Sequence, residues 1–411
     1  MSSDLLVDIS SVASGSNAGA SFAQIGALVD TVTVGSASNV ILLIAVMPND
    51  ITTNSTEWGM EIQFAVDDVL EGPINGSFKD HQREGCSASL CWALTGISGS
   101  TKFSLYWRNR TGTTVISTDH IRSLRVIEIG NASLLVSKTS LTADDAVNSY
   151  TDIVDLTDTQ TVTASSLHIL LGNLLPSDAD VANAGKYRFD VQAKGLVGYE
   201  PYNFVDASNE LCGVSSLWAV TGLSGSTDFA FQWFELDPGL TTSTSGGRLR
   251  SFQVIEVTQD FDLQIDQLSK VSYSHTAGYT DITGMVATSI ALDSANSVLL
   301  FSACAPGLPQ GDNTYTGRHY DGTTGFGGET QNFIDSSAQS NGCGHCNHMA
   351  ITGLSGTHTF SYREDEIQGN VSQDVNKFRG LVMVELKETA AAGLPIPVAM
   401  GSYRQRHQNV I

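Results

Sequence analysis

The sequence predicts an all-β protein made of three tandem antiparallel β-sandwiches of jelly-roll type, followed by an extended C-terminal tail. Three observations predict it. One phrase occurs three times: Trp92-Ala93-Leu94-Thr95-Gly96-Ile97-Ser98-Gly99-Ser100, Trp218-Ala219-Val220-Thr221-Gly222-Leu223-Ser224-Gly225-Ser226 and Met349-Ala350-Ile351-Thr352-Gly353-Leu354-Ser355-Gly356-Thr357. After each phrase apolar residues alternate with polar ones: Phe103, Leu105 and Trp107; Phe229, Phe231 and Trp233; Phe360 and Tyr362. Amphipathic runs of strong helix formers are missing. A period of about 130 residues is a whole domain copied, not a solenoid unit, and period-two alternation marks half-buried strands.

The elements follow in order within each copy. A run that is apolar on both faces, and so reads as a central strand, ends in proline: Val40 to Pro48, Ile169 to Pro176, Val298 to Pro306. The repeated phrase is a strand, a Gly-rich turn and a second strand, since its glycines supply the positive φ that a tight connection needs. A closing strand carries a glutamate (Glu128, Glu256, Glu385), and an arginine stands two residues before it (Arg122, Arg250, Arg379). These landmarks place the copies at 1–130, 131–258 and 259–388, with a tail at 389–411. Each copy is large enough to bury its own core. The third copy differs by a Gly-rich stretch, Gly307 to Gly322, read as an inserted loop; long loops on a rigid sandwich often carry function.

Acidic residues outnumber basic ones 43 to 21, a formal net charge of −22. That balance argues against a nucleic-acid-binding surface, which needs clustered Lys and Arg, and favours a solvated surface that resists aggregation. No stretch approaches the ~18 apolar residues that span a bilayer. The start, Met1-Ser2-Ser3-Asp4, lacks the basic and apolar regions of a secretory signal. For work outside a cell, the expected route is release by lysis or another non-classical path.

Three of the six cysteines, Cys86, Cys212 and Cys343, stand six residues before the Trp/Trp/Met landmark, which reads as a small buried position shared by all copies. Cys91, Cys304 and Cys346 have no counterparts. The sharpest local chemistry is Cys343-Gly344-His345-Cys346-Asn347-His348. Cys343, His345, Cys346 and His348 could offer zinc ligands, and Cys-x-x-Cys is also the spacing of redox dithiols. Against zinc, no second ligand pair follows. Against redox, the context is not a strand–helix unit. The segment is therefore read first as ordinary strand residues.

No nucleotide-binding loop, nucleophile elbow or His-Glu-x-x-His motif is present. A glycosidase needs two carboxylates across one cleft. Glu128, Glu256 and Glu385 instead read as recurring ion pairs with the neighbouring arginines, or as strand-edge solubility devices. Asp152 and Asp281 follow matching Tyr-Thr pairs and read as turn caps or calcium ligands. The expectation is a protein that is not an enzyme and holds no cofactor.

The tail contains no acidic residue and combines Pro395 and Pro397 with Tyr403, Arg404 and Arg406. Its prolines block helix and central strand alike. A basic arm on an acidic body suggests docking to a partner, and a frayed terminus is the other reading.

The pattern Phe103-x-Leu105-x-Trp107 followed by Arg122-x-Leu124-x-Val126-Ile127-Glu128 returns as Phe229-x-Phe231-x-Trp233 and Arg250-x-Phe252-x-Val254-Ile255-Glu256. It resembles the β-sandwich repeats of tailed-bacteriophage virion surface proteins: head-decoration, head-fibre and tail-fibre proteins. The resemblance covers the C-terminal half of each copy; the third departs at Met349 and Tyr362 and lacks the tryptophan. It transfers no catalytic residue. It implies a structural or adhesive role, oligomeric display on the virion surface, attachment to other virion proteins and contact with a host glycan or surface protein. The rival expectation is a bacterial carbohydrate-binding protein or adhesin, whose mark would be an aromatic platform drawn from Tyr106, Tyr315 and Tyr320. A glycan hydrolase or lyase comes third and would need an acid pair in a cleft.

Overall fold

The computed structural model describes residues 3–388 except 14, 18, 49–57, 80–85, 112–113, 117–119, 148, 176–177, 180–184, 199–201, 206–212, 236–241, 245–248, 270–272, 276–277, 305–312, 336–340, 343–344, 369–370 and 374–378. Among the described residues every regular element is a strand, so no helix is long and apolar enough to cross a membrane.

Each copy folds as a two-sheet sandwich. In the first, one sheet runs Asp4–Ser11, Arg122–Ile129, Val40–Met47, Ala88–Leu94 in spatial order, and the other Ala23–Val34, Gly99–Thr111, Trp58–Val66, Val69–Lys79. Leaving aside the small ribbon of Gly15–Asn17 with Thr114–Ile116, the eight strands are ordered 1-8-3-6 and 2-7-4-5. That is the two-Greek-key order of a jelly roll. The second copy repeats it with Ala132–Ser140, Arg250–Val257, Leu167–Leu174, Val214–Val220 in one sheet. Thr151–Val162, Gly225–Glu235, Gly185–Ala193 and the split strand Leu196–Val197/Tyr202–Val205 form its other sheet. In the third, Phe261–Ser269, Arg379–Leu386, Ser297–Cys304, His345–Thr352 oppose Thr280–Leu292, Gly356–Gln368, Asn313–Asp321, Thr324–Asp335. The predicted fold class is therefore the observed one.

Two local features recur in all three copies. The second long strand breaks register at Gln24/Val29, Asp152/Thr157 and Asp281/Val286. The break turns residues three apart inward together: Ile25 with Leu28, Ile153 with Leu156, Ile282 with Met285, all buried. The glutamate of the closing strand clamps the turn that precedes the apolar central strand. Glu128 accepts from the Gly35 and Ser36 amides and from Asn39 Nδ2; Glu256 accepts from the Thr163 amide; Glu385 accepts from Asn296 Nδ2. This corrects the expected glutamate–arginine pair. Arg122 and Glu128 lie six residues apart on one extended strand, about 20 Å, too far to pair. Arg122 instead donates from Nε to the Ser11 carbonyl at 3.2 Å, and Arg250 Nη2 bonds Ser140 Oγ at 3.3 Å. Burial lowers the Arg122 pKa to about 10, which still leaves it protonated at neutral pH.

The Gly-rich stretch of the third copy is also corrected. Residues 307–312 lie outside the described set, but Asn313–Asp321 is a strand of the sandwich, hairpin-paired with Thr324–Asp335 through Gly322 (φ 56°). Glycine and short polar residues hid its alternation.

The three sandwiches close around a common axis. Strand Ala88–Leu94 of the first copy packs on Leu167–Leu174 and Arg250–Val257 of the second. Val214–Val220 of the second packs on Ser297–Cys304 and Arg379–Leu386 of the third. His345–Thr352 of the third packs on Val40–Met47 and Arg122–Ile129 of the first, and the three edge strands also touch one another. The relation is cyclic: a pseudo-threefold body made from one chain. The linkers meet at this axis, where the Thr258 amide donates to the Asn131 carbonyl (2.9 Å) and Gln259 Nε2 donates to Ser3 Oγ (2.7 Å).

The axis explains the strands that are apolar on both faces. Ile41, Leu43, Ala45 and Met47 enter the core of the first sandwich; Val40, Leu42 and Ile44 enter a core shared with the other two. The third copy divides likewise, Val298, Leu300 and Cys304 against Leu299, Phe301 and Ala303. Hereafter the axial sheet of each copy is the inner one and its partner the outer one.

Candidate functional site

The inner sheets are covered on both faces, so any surface open to a partner belongs to the outer sheets, the loops or the tail. The sequence-derived site residues divide accordingly.

Cys346 and His348 lie two apart on the edge strand His345–Thr352 and both face the axis, fully or nearly fully buried. His348 Nε2 stands 2.8 Å from the Ser215 carbonyl of the second copy, which fixes the proton on Nε2. Burial pushes its pKa down to about 4. Burial also holds the Cys346 thiol well above its ordinary value, and thiolate, not thiol, is the metal ligand and nucleophile. Cys343 and the side chain of His345 lie outside the described set. Among the described residues no three metal-ligating side chains converge. Cys346 and His348 are thus part of an inter-domain contact, which a local motif cannot reveal.

Around it lies a buried polar junction the sequence reading missed. Asn173 and Gln253 of the second copy grip the unpaired edge of Ala88–Leu94 in the first. Asn173 Oδ1 accepts from the Cys91 amide (3.2 Å) and its Nδ2 donates to the Cys91 carbonyl (2.7 Å). Gln253 does the same two residues on, Oε1 and Nε2 each 2.8 Å from Ala93 N and O. The amides act as a substitute strand, satisfying an edge that would otherwise be buried with open donors and acceptors. Ser215 Oγ lies 2.8 Å from Cys91 Sγ, and burial lifts that thiol to about 12. The signal in the sequence is that Asn173 and Gln253 are polar residues in strands buried along their whole length.

Cys86 is buried and disulfide-bonded, which corrects its reading as a mere small hydrophobe. Cys91, Cys304 and Cys346 carry free thiols. The partner of Cys86 lies outside the described residues.

On the outer sheets the paired positions of the second and seventh strands carry polar rungs. Gln24 stands opposite Tyr106, Asp152 opposite Gln232 and Asp281 opposite Arg363. Gln232 Nε2 donates to Asp152 and Arg363 Nε to Asp281, each at 2.5 Å. The two aspartates are therefore cross-strand acceptors and not turn caps. The three tyrosines do not form a platform. Tyr315 is fully buried, Tyr320 is covered by the Arg363 guanidinium 4.5 Å above its ring, and Tyr106, in another copy, donates to Asp68 at 2.9 Å. Burial and the Asp68 charge raise the Tyr106 pKa. At the seam between first and third copies, Glu329 accepts from the Ile121 amide (3.3 Å), with His120 Nδ1 3.4 Å and Arg318 3.7 Å away. The tail residues Pro395, Pro397, Tyr403, Arg404 and Arg406 lie outside the described residues.

No protein-family model and no curated protein matches the chain. Among solved structures, one called PNGF-II is 8% identical over 81% of this chain and 98% of its own, with a TM-score of 0.24. The N-terminal CBM22-1–CBM22-2 tandem domain of Paenibacillus barcinonensis Xyn10C is 10% identical over 62% and 90%, TM-score 0.19. A triple jelly roll protein of an archaeal virus turret is 10% identical over 94% and 88%, TM-score 0.18. Similarities this slight carry no argument about activity or partners.

Proposed function

We propose that this chain is a non-enzymatic structural protein of a virus particle surface, a phage capsid decoration or fibre protein. The observation that carries the reading is the pseudo-threefold body: three jelly rolls in one chain, fused through a shared core, presenting three outer sheets of the same topology. A rigid body with repeated faces suits repeated display, where many weak contacts add by multivalency. The formal charge of −22 supports a solvated outward surface. The acid-free tail, with Pro395, Pro397, Tyr403, Arg404 and Arg406, is the proposed anchor to other virion proteins. Further copies of the chain and a host glycan or surface protein are the remaining proposed partners.

Electron microscopy of the native source material tests this. The expected result is the chain in symmetric copies on a capsid or tail, with residues 389–411 against the particle. The chain found free, or on a cell surface, would overturn the reading and leave the bacterial adhesin as its successor.

A further inference from the structure

The three outer faces are not alike, and the differences centre on the turn that joins the fourth and fifth long strands. Its position is fixed identically in each copy: the Asp67, Lys194 and Gly322 amides donate to the carbonyls of Lys102, Asp228 and Thr359 at 2.8–2.9 Å. In the first copy the next residue, Asp68, receives Lys102 Nζ (2.6 Å) and the Tyr106 hydroxyl (2.9 Å), and these three side chains close over the sheet. In the third, Arg363 lies across Tyr320 and pairs with Asp281. In the second copy Gly195 replaces Asp68, Gln232 replaces Tyr106 and Arg363, and Ala230 stands where the others have Ser104 and Ser361. A groove of about 610 Å3 opens there. That lies within the range of about 300–1,000 Å3 usual for small-ligand sites.

We propose that this groove binds a neutral glycan. Its floor is Ala230, flanked across the sheet by Thr157 and Gln192. With strands about 4.8 Å apart, the flanks stand about 10 Å from each other. One end is the Asp152–Gln232 rung, the other Asp228 with Thr159 and Lys194. Carboxylate oxygens supply acceptors; the glutamine amides and the lysine ammonium supply donors. Sugar hydroxyls need both at once. An anionic ligand would meet the carboxylates of Asp152 and Asp228 and that of Asp158, which is paired with Lys138 at 3.2 Å, with Lys194 as the cation among the lining residues. A bare metal ion is disfavoured because no three ligating groups converge among the described residues. The proposal deepens the host-contact part of the function proposed above and rests on it, but not on where the protein is anchored.

The test uses the full chain on an array of neutral and acidic oligosaccharides, followed by calorimetric titration of the best binder. Two variants accompany it. Ala230→Arg fills the floor. Gly195→Asp with Gln232→Tyr grafts the closed face of the first copy, at a turn position (φ 76°) where that copy already holds an aspartate (φ 65°). The expected result is binding of a neutral oligosaccharide that falls about tenfold or more in each folded variant, while Thr323→Arg, at the exposed turn of the third copy, changes nothing. No neutral binder, an acidic binder, or a binder unaffected by both variants would overturn the proposal. Particle location by microscopy is a separate readout, so failure here leaves the virion reading standing.

Discussion

Gln253 of the second sandwich holds the Ala93 peptide of the first by both its polar atoms, accepting from N–H and donating to C=O at 2.8 Å each. The contact completes a buried sheet edge across a domain boundary. Gln253→Leu keeps the bulk and leaves two backbone groups unpaired, at about 1–3 kcal/mol each. Chemical denaturation should show a loss of about 2–6 kcal/mol. A loss below about 0.5 kcal/mol would mean the edge is satisfied otherwise.

His348 makes the junction sensitive to acid. In the folded chain its pKa is pushed down to about 4 from the ordinary 6.5. The unfolded chain therefore takes up a proton below pH 6.5 that the folded one refuses until about pH 4. Its contribution is complete above pH 6.5 and falls progressively as pH drops to 4, by about 3 kcal/mol. His348→Gln keeps a donor for the Ser215 carbonyl but does not titrate. Stability measured from pH 7 to 4 should fall less steeply in the variant; parallel curves would contradict the assignment.

The Cys86 disulfide gives a redox-dependent stability. A disulfide restricts the unfolded chain, an effect of about 2–5 kcal/mol. Reductant should lower the melting temperature of the parent, and Cys86→Ser should melt with the reduced parent and ignore reductant. Peptide mapping of the oxidised chain should recover Cys86 joined to Cys212 or Cys343. Recovery of freely alkylated Cys86 would exclude the bond.

The first sandwich should not stand alone. Separation uncovers Val40, Leu42, Ile44, Ile127 and Ile129, now in the shared core. At about 1.5–3 kcal/mol per large aliphatic side chain, the loss is about 10 kcal/mol, comparable with the whole net stability of about 5–15 kcal/mol usual for a domain. Residues 1–130 expressed alone should aggregate or bind a hydrophobic dye. A soluble monomer melting like the whole chain would show that the copies are independent.

The repeated phrase, the alternation and the jelly-roll class were all legible in the sequence, because each is a local pattern of one sandwich. The closure around an axis was not read, although its signal is present. A strand in a two-sheet sandwich needs one apolar face; Val40–Met47 has two, and the second requires a third layer to cover it. Reading that surplus only as a sign of a central strand stopped one step short. The inter-domain role of Cys346 and His348 was hidden for the opposite reason. Zinc-like spacing in sequence says nothing about what a neighbouring domain places against it, and here Ser215 receives His348. The outer groove depends on three absences in one copy, Gly195, Ala230 and the short Gln232, and becomes visible once the turns of the copies are superposed by their hydrogen bonds.

The central claim is that the three sandwiches form one body. Small-angle X-ray scattering of the monomer tests it most directly. A compact body of 411 residues has a radius of gyration of about 22 Å, rising slightly for the tail. Three sandwiches strung end to end, each about 14 Å in radius of gyration, would exceed about 30 Å. The account predicts the first value; the second would contradict it.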